Sequence, residues 1–120
     1  MYLIDTNFWI EHFKNKNSYI SSFLQDGKVI VHDFIIGELS LGSFNKADRN
    51  KILDRLKAIE RVPVSRNDEV LQFIEDHKLQ NSGIGFIDAH LLHACFSHRL
   101  HLATLDQKLE KLAEKLKVSV

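Results

Sequence analysis

The chain has one cysteine, one proline and five glycines among its 120 residues, and its sixteen basic and sixteen acidic residues cancel. Each scarcity excludes something. A lone Cys95 cannot form an internal disulfide, which argues against a disulfide-stapled secreted fold and for a reducing cytoplasm. Its place on an apolar helical stripe makes it core filler. With so little proline and glycine there is no linker, so residues 1–120 read as a single domain. Zero net charge gives no bulk attraction for long nucleic acid. Long apolar runs are also missing. The first, Met1 to Ile4, is interrupted by Asp5 and has no basic segment before it, so neither a signal peptide nor a membrane span is expected. What is present, 44% hydrophobic and 27% charged residues, is the composition of a globular protein with one core.

Short apolar runs alternate with helical periodicities. Tyr2-Leu3-Ile4 predicts a strand, then a helix from Asp5-Thr6-Asn7 through about His12 or Phe13 and a polar break from Lys14 to Asn17. Further helices are expected over residues 18–25, 33–41, 47–59, from 65 or 67 to about 79, over 86–99 and over 107–116. Strands are expected at 29–31, 62–64, 102–105 and 118–120, and Pro63, which lacks an amide donor, puts its strand at a sheet edge. Strands separated by helices imply an α/β fold: a mainly parallel sheet of four to five strands with helices on both faces.

Four acids stand where apolar segments stop: Asp5 after Leu3-Ile4, Glu38 in Ile36-Gly37-Glu38-Leu39, Asp88 in Phe86-Ile87-Asp88-Ala89, and Asp106 after Thr104-Leu105. In parallel sheets, ligands collect outside the carboxyl ends of the strands. Asp5 and Asp106 follow strands directly, while Glu38 and Asp88 are expected in first helical turns, so all four can meet at that edge. Singly, each has an ordinary explanation: Asp5 and Asp106 as helix caps, Glu38 as an acid favourable near a helix start. Asp88 is harder to explain away, because it shares a helix face with Leu91, Leu92 and Cys95. Together they would repel strongly, and a hard divalent cation such as Mg2+ or Mn2+ is the usual relief.

These segments carry a resemblance. Leu3-Ile4-Asp5-Thr6-Asn7-Phe8-Trp9-Ile10, Ile36-Gly37-Glu38-Leu39-Ser40-Leu41-Gly42, Gly85-Phe86-Ile87-Asp88-Ala89-His90-Leu91-Leu92 and Ala103-Thr104-Leu105-Asp106 resemble, in order, the four motifs of PIN-domain ribonucleases, nearest to VapC toxins of toxin-antitoxin pairs. The resemblance implies a PIN-like three-layer fold and a Mg2+- or Mn2+-dependent endoribonuclease leaving 5′-phosphate and 3′-hydroxyl ends. It implies Asp5, Glu38, Asp88 and Asp106 as catalytic, metal-binding acids, with Thr6, Asn7 and Thr104 in support. It further implies an RNA substrate, a VapB-like antitoxin whose tail covers the acidic pocket, and a homodimer. One position departs: Leu105 stands where many relatives have Arg.

Other readings compete. His90 and His93, three apart on one helix with His98 and His101 nearby, could hold zinc, but their spacing is irregular and His90 and His98 are expected to face solvent. A phosphoreceiver domain has similar length and alternation, yet it needs paired acids after the first strand, and Asp5 is followed by Thr6. A non-catalytic partner-binding domain is a third reading; nothing in the four acids points to lost activity. Lys14, Lys16, Lys46, Arg49, Lys51 and Arg99 could line a path for phosphates. Phe8, Trp9, Phe13 and Phe44 could stack on bases, but core packing is the more ordinary role, and for Trp9 and Phe13 the expected one.

Overall fold

In the computed structural model, which describes residues 1–120, three short parallel strands form the centre: β1 (Tyr2–Ile4), β2 (Val29–Ile30) and β3 (His101–Ala103), in the order β2-β1-β3. Register pairs Leu3 with Ile30 on one side and with Leu102 on the other. Two single bridges widen the sheet, Val31 with Arg61 and Leu102 with Ser119. The α/β class is as expected, but the full strands number three rather than four or five. At residues 62–64 the reason is local. Val62 donates to Val31 at 3.0 Å, but β2 has no further position to offer, because His32 already caps the next helix and Pro63 brings no donor. At the other edge, Val118 accepts from Leu102 at 2.7 Å, and pairing there stays a single bridge.

Seven helices follow: α1 (Thr6–Asn15), α2 (Ser18–Gln25), α3 (Asp33–Ser40), α4 (Lys46–Lys57), α5 (Asn67–Asp76), α6 (Phe86–His98) and α7 (Gln107–Lys115). The chain leaves β1 outward to β2 and returns across β1 to β3. Right-handed crossovers running in opposite directions put helices on both faces. The core is continuous through the sheet: Leu3, Ile4, Leu91, Leu92 and Leu102 are completely buried, with Trp9 beneath α1 stacked on Phe13 at 5.5 Å. Truncating one of these leucines to alanine costs about 2–5 kcal/mol. Cys95 lies in this core, and burial pushes its thiol up to about 12, a packing group without reactivity.

Helix ends depart most from the sequence reading. α1 continues to Asn15, two residues beyond the expected end, and Asn17 caps α2 by accepting from the amides of Tyr19 and Ile20. α5 stops at Asp76 instead of about Leu79. Four helices close alike: a residue with positive φ follows the helix, and the next amide bonds back five residues. Lys28 reaches Phe23, Leu79 reaches Ile74, Leu100 reaches Cys95 and Val118 reaches Ala113, at 2.8–3.0 Å. The left-handed residues are Gly27, Lys78, Arg99 and Lys117. Three of the four are basic, which suits the negative end of a helix while giving up the glycine that usually marks one.

Candidate functional site

The carboxyl ends of β1 and β3 lie side by side, tied by the Asp5 amide donating to the Ala103 carbonyl at 2.9 Å. This is where strand order reverses, the position at which open α/β sheets bind ligands. Asp5 ends β1 and caps α1, only 7% exposed, and both its oxygens are engaged. Oδ1 accepts from the Thr6 amide and Oδ2 from the Thr104 hydroxyl, each at 2.8 Å. The Thr104 hydroxyl in turn accepts from the Asp106 amide at 3.1 Å. Thr104 thus fixes the first and last acids relative to each other, its own bond to Asp5 spanning 99 positions of chain.

Glu38 arrives from α3. It lies in the last turn of that helix and not in a first turn as expected, because α3 begins at Asp33 and is only eight residues long. The Thr6 hydroxyl donates to its Oε1 at 2.9 Å. Asp88, in the first turn of α6, accepts from the Gly85 amide at 3.3 Å, and Asp106 caps α7 through the Leu109 amide at 3.0 Å. Asp5 and Asp106 therefore do serve as local caps, as their ordinary readings held, and Asp88 adds a cap bond that the sequence reading did not give it. The cap bonds use one oxygen each of Asp88 and Asp106, and Thr6 uses one of Glu38, leaving the other uncommitted. Asn7 is exposed and takes no part in this network.

The four carboxylates share one electrostatic environment. Burial raises the Asp88 pKa above its ordinary value, and the charges of Asp5, Asp106 and Glu38 raise it further against the Gly85 amide. No cation relieves them: the two ion pairs of the molecule, Arg61 with Asp33 and Arg66 with Asp68, lie elsewhere. No group of three or more His, Cys, Asp or Glu side chains is drawn in closely enough to enclose an ion. The acids form a shared edge and not a closed cage.

Of the two histidines expected to face solvent, His98 does and His90 does not. His90 is completely buried instead of solvent-facing, with Nε2 on Asn67 Oδ1 at 3.0 Å and the Phe34 and Phe86 rings at 4.9 and 4.8 Å. The periodicity of α6 gave little warning, since residues 89–92 are buried in succession where the helix passes through the core. His93 pairs with Ser65 at 2.7 Å and His101 with the Ser119 carbonyl at 3.1 Å, so each imidazole has a separate partner and zinc has no cluster to join. His32 was not singled out by the sequence. It is buried, and its Nδ1 caps α3 by accepting from the Phe34 amide at 3.0 Å. Among the basic residues, Lys14 and Lys51 line an open groove of about 330 Å³ with Phe13 and Phe44.

A switch-point edge carrying four carboxylates, none paired with a side-chain cation, marks an α/β domain with an acidic edge. The PIN domain profile matches residues 2–115, and the chain belongs to the PIN-domain family as a VapC-type member. It is similar to Ribonuclease VapC32 of Mycobacterium tuberculosis, in strains CDC 1551 / Oshkosh and H37Rv alike, with 37% identity over 92 residues that cover 77% of this chain and 73% of the relative. Among solved structures, the crystal structure of PAE2754 from Pyrobaculum aerophilum superposes with a TM-score of 0.64 at 19% identity, covering 99% of this chain and 87% of that one; it shows the shared fold. Family membership removes the phosphoreceiver reading.

Proposed function

We propose that this chain is the endoribonuclease toxin of a VapBC-type pair, hydrolysing RNA phosphodiester bonds at the edge formed by Asp5, Glu38, Asp88 and Asp106. One observation carries the reading: four carboxylates at a sheet switch point, three of them acting on the charge of Asp88 and none paired with a side-chain cation. Gathering like charges at a partly buried edge is unfavourable unless a positive charge completes them. The donor set is all oxygen, which suits Mg2+ or Mn2+. Uncommitted oxygens of Glu38, Asp88 and Asp106, with Asp5 below them, are the groups that would hold the ion. When bound, a divalent ion supplies charge neutralisation for the phosphate and a lowered pKa for an attacking water.

The chain's own contribution is orientation. Thr104 fixes Asp5 and the start of the Asp106 loop, Thr6 fixes Glu38, and the Gly85 and Leu109 amides fix Asp88 and Asp106. Such outer partners hold ligating groups in place and tune their basicity. Asp106 and Asp88 are exposed enough to meet a phosphate from solvent, while Asp5 is the buried anchor.

The reading extends to a VapB-like antitoxin that covers the acidic edge with a basic side chain, supported by the uncompensated negative charge there, and to a homodimer. No helix is long and apolar enough to cross a membrane, and a cytoplasmic site of action accords with the single buried Cys95. The test is cleavage of end-labelled single-stranded RNA by the purified protein. Cutting in Mg2+ or Mn2+ that chelator stops and Asp88→Asn abolishes is expected. A folded Asp88→Asn protein of undiminished activity would overturn the assignment.

A further inference from the structure

We propose that the open cavity between α5 and the start of α6 is a subsite for one unstacked base of the RNA, with Phe86 as its stacking platform and Lys108 as the neighbouring phosphate contact. The inference rests on the ribonuclease reading. The cavity measures about 330 Å³ and is walled by Ile74, Leu79, Ile84, Phe86 and Ala89, with Ser82 in the loop that closes it. That size is at the lower end of small-molecule sites, room for a base and not for a duplex.

Two features of the lining, and a lysine beside it, point to a nucleotide. Phe86 is 43% exposed, and its ring stands perpendicular to His90 at 4.8 Å, held from one side and open on the other. Single-stranded RNA is commonly read by stacking splayed bases on such rings. The Ser82 hydroxyl is buried with no hydrogen-bond partner, an unfavourable state that the polar edge of a base would relieve. Lys108 lies over Gly83, its Nζ 3.1 Å from where a Cβ would stand, and the φ of +84° at that position favours glycine.

Position supplies the link to the acids. The cavity loop ends in Gly85, whose amide donates to Asp88, and Lys108 stands two residues beyond Asp106. A base seated against Phe86 would put its phosphate between Lys108 and the carboxylate edge. The loop turns through Asn81 and Gly83, both in the left-handed region.

The test combines metal-free binding with cleavage. Isotope-labelled protein is titrated with AMP, GMP, CMP and UMP in chelator, and a random-sequence single-stranded RNA pool is cut in Mg2+ or Mn2+ with sequencing of the new ends. At least one nucleotide is expected to shift the amides of residues 82–86 and 89. Phe86→Ala is expected to raise KM about 10-fold with kcat retained and to erase base preference at one position beside the cut, while Phe86→Tyr restores both. Ser82→Ala is expected to relax that preference without moving KM as far. Unmoved amides with all four nucleotides, or a Phe86→Ala enzyme with unchanged KM and preference, would overturn the subsite. Asp88→Asn separates the two claims, since it is expected to lose cleavage yet keep the nucleotide shifts. Wild-type protein that shows the shifts but leaves RNA intact would remove the ribonuclease reading and, with it, the RNA assignment of the cavity.

Discussion

Asp88 and His90 stand two residues apart on α6 and meet opposite solutions to the same problem. Burial disfavours the charged form of each, raising the carboxylate pKa and lowering the imidazole pKa. His90 resolves this by staying neutral among Phe34, Phe86 and Asn67, with His32 held neutral beside it. Asp88 cannot resolve it so simply, because its neighbours in charge are three further carboxylates. The histidine side is settled in charge, with Nε2 on Asn67 and only Nδ1 left buried without a partner, whereas the carboxylate side keeps its like charges together. A buried neutral polar group contributes to the fold; like charges held together at a partly buried edge mark a candidate site.

The comparison can be broken most directly at the acids. Asp88→Asn is expected to reduce RNA cleavage about 10³-fold or more, the scale on which a reaction centre loses an essential group. The same substitution is expected to raise the melting temperature of the metal-free protein, since it removes one of four repelling charges while an amide oxygen still accepts from Gly85. A fall in melting temperature would show that the carboxylates do not repel as described. Thr104→Val, which frees Asp5 and the Asp106 loop, is expected to lower metal affinity or activity about 10- to 100-fold with the fold intact, measured by titration of Mn2+ and by initial rates.

The histidine side gives smaller effects of a different kind. Asn67→Ala removes the partner of His90 and is expected to cost about 1 kcal/mol in denaturant unfolding without changing kcat. A pH series sharpens this further. Burial, with some help from His90 and against Asp33, holds His32 down to about 4 from 6.5. Between those values the unfolded chain takes up a proton that the folded chain refuses, so stability is expected to fall as pH drops through that window and to be fully present above it. His32→Asn keeps an acceptor for the Phe34 amide and is expected to flatten the slope. An unchanged slope would mean that His32 titrates normally. The smallest effect concerns helix ends, where Lys117→Gly is expected to stabilise by up to about 1 kcal/mol by relieving positive φ at 60°.

Much of this was legible in the chain. Every helix was expected within a few residues, and the four acids were found because each interrupts an apolar run, a local signal that needs no neighbours. The errors share a cause. α5 was read too long because Lys78, not glycine, takes the left-handed turn, and basic residues at such positions look like ordinary surface. His90 was assigned to solvent because a helix crossing the core is buried over a wide arc, which erases the periodicity that separates inside from outside. The strand at Val62–Val64 shrank to one bridge because its extent depended on where β2 ended.

Sequence alone determined the alternation of strand and helix, the family and the identity of the acids, because propensity, periodicity and residue chemistry are properties of short segments. Tertiary structure decided what those segments do to one another. Thr104 reaches Asp5, Thr6 reaches Glu38, and Lys108 lies on Gly83, contacts between residues 25 to 99 positions apart. Charge coupling and cavity shape depend on distances through space, and only the closed sheet fixes those.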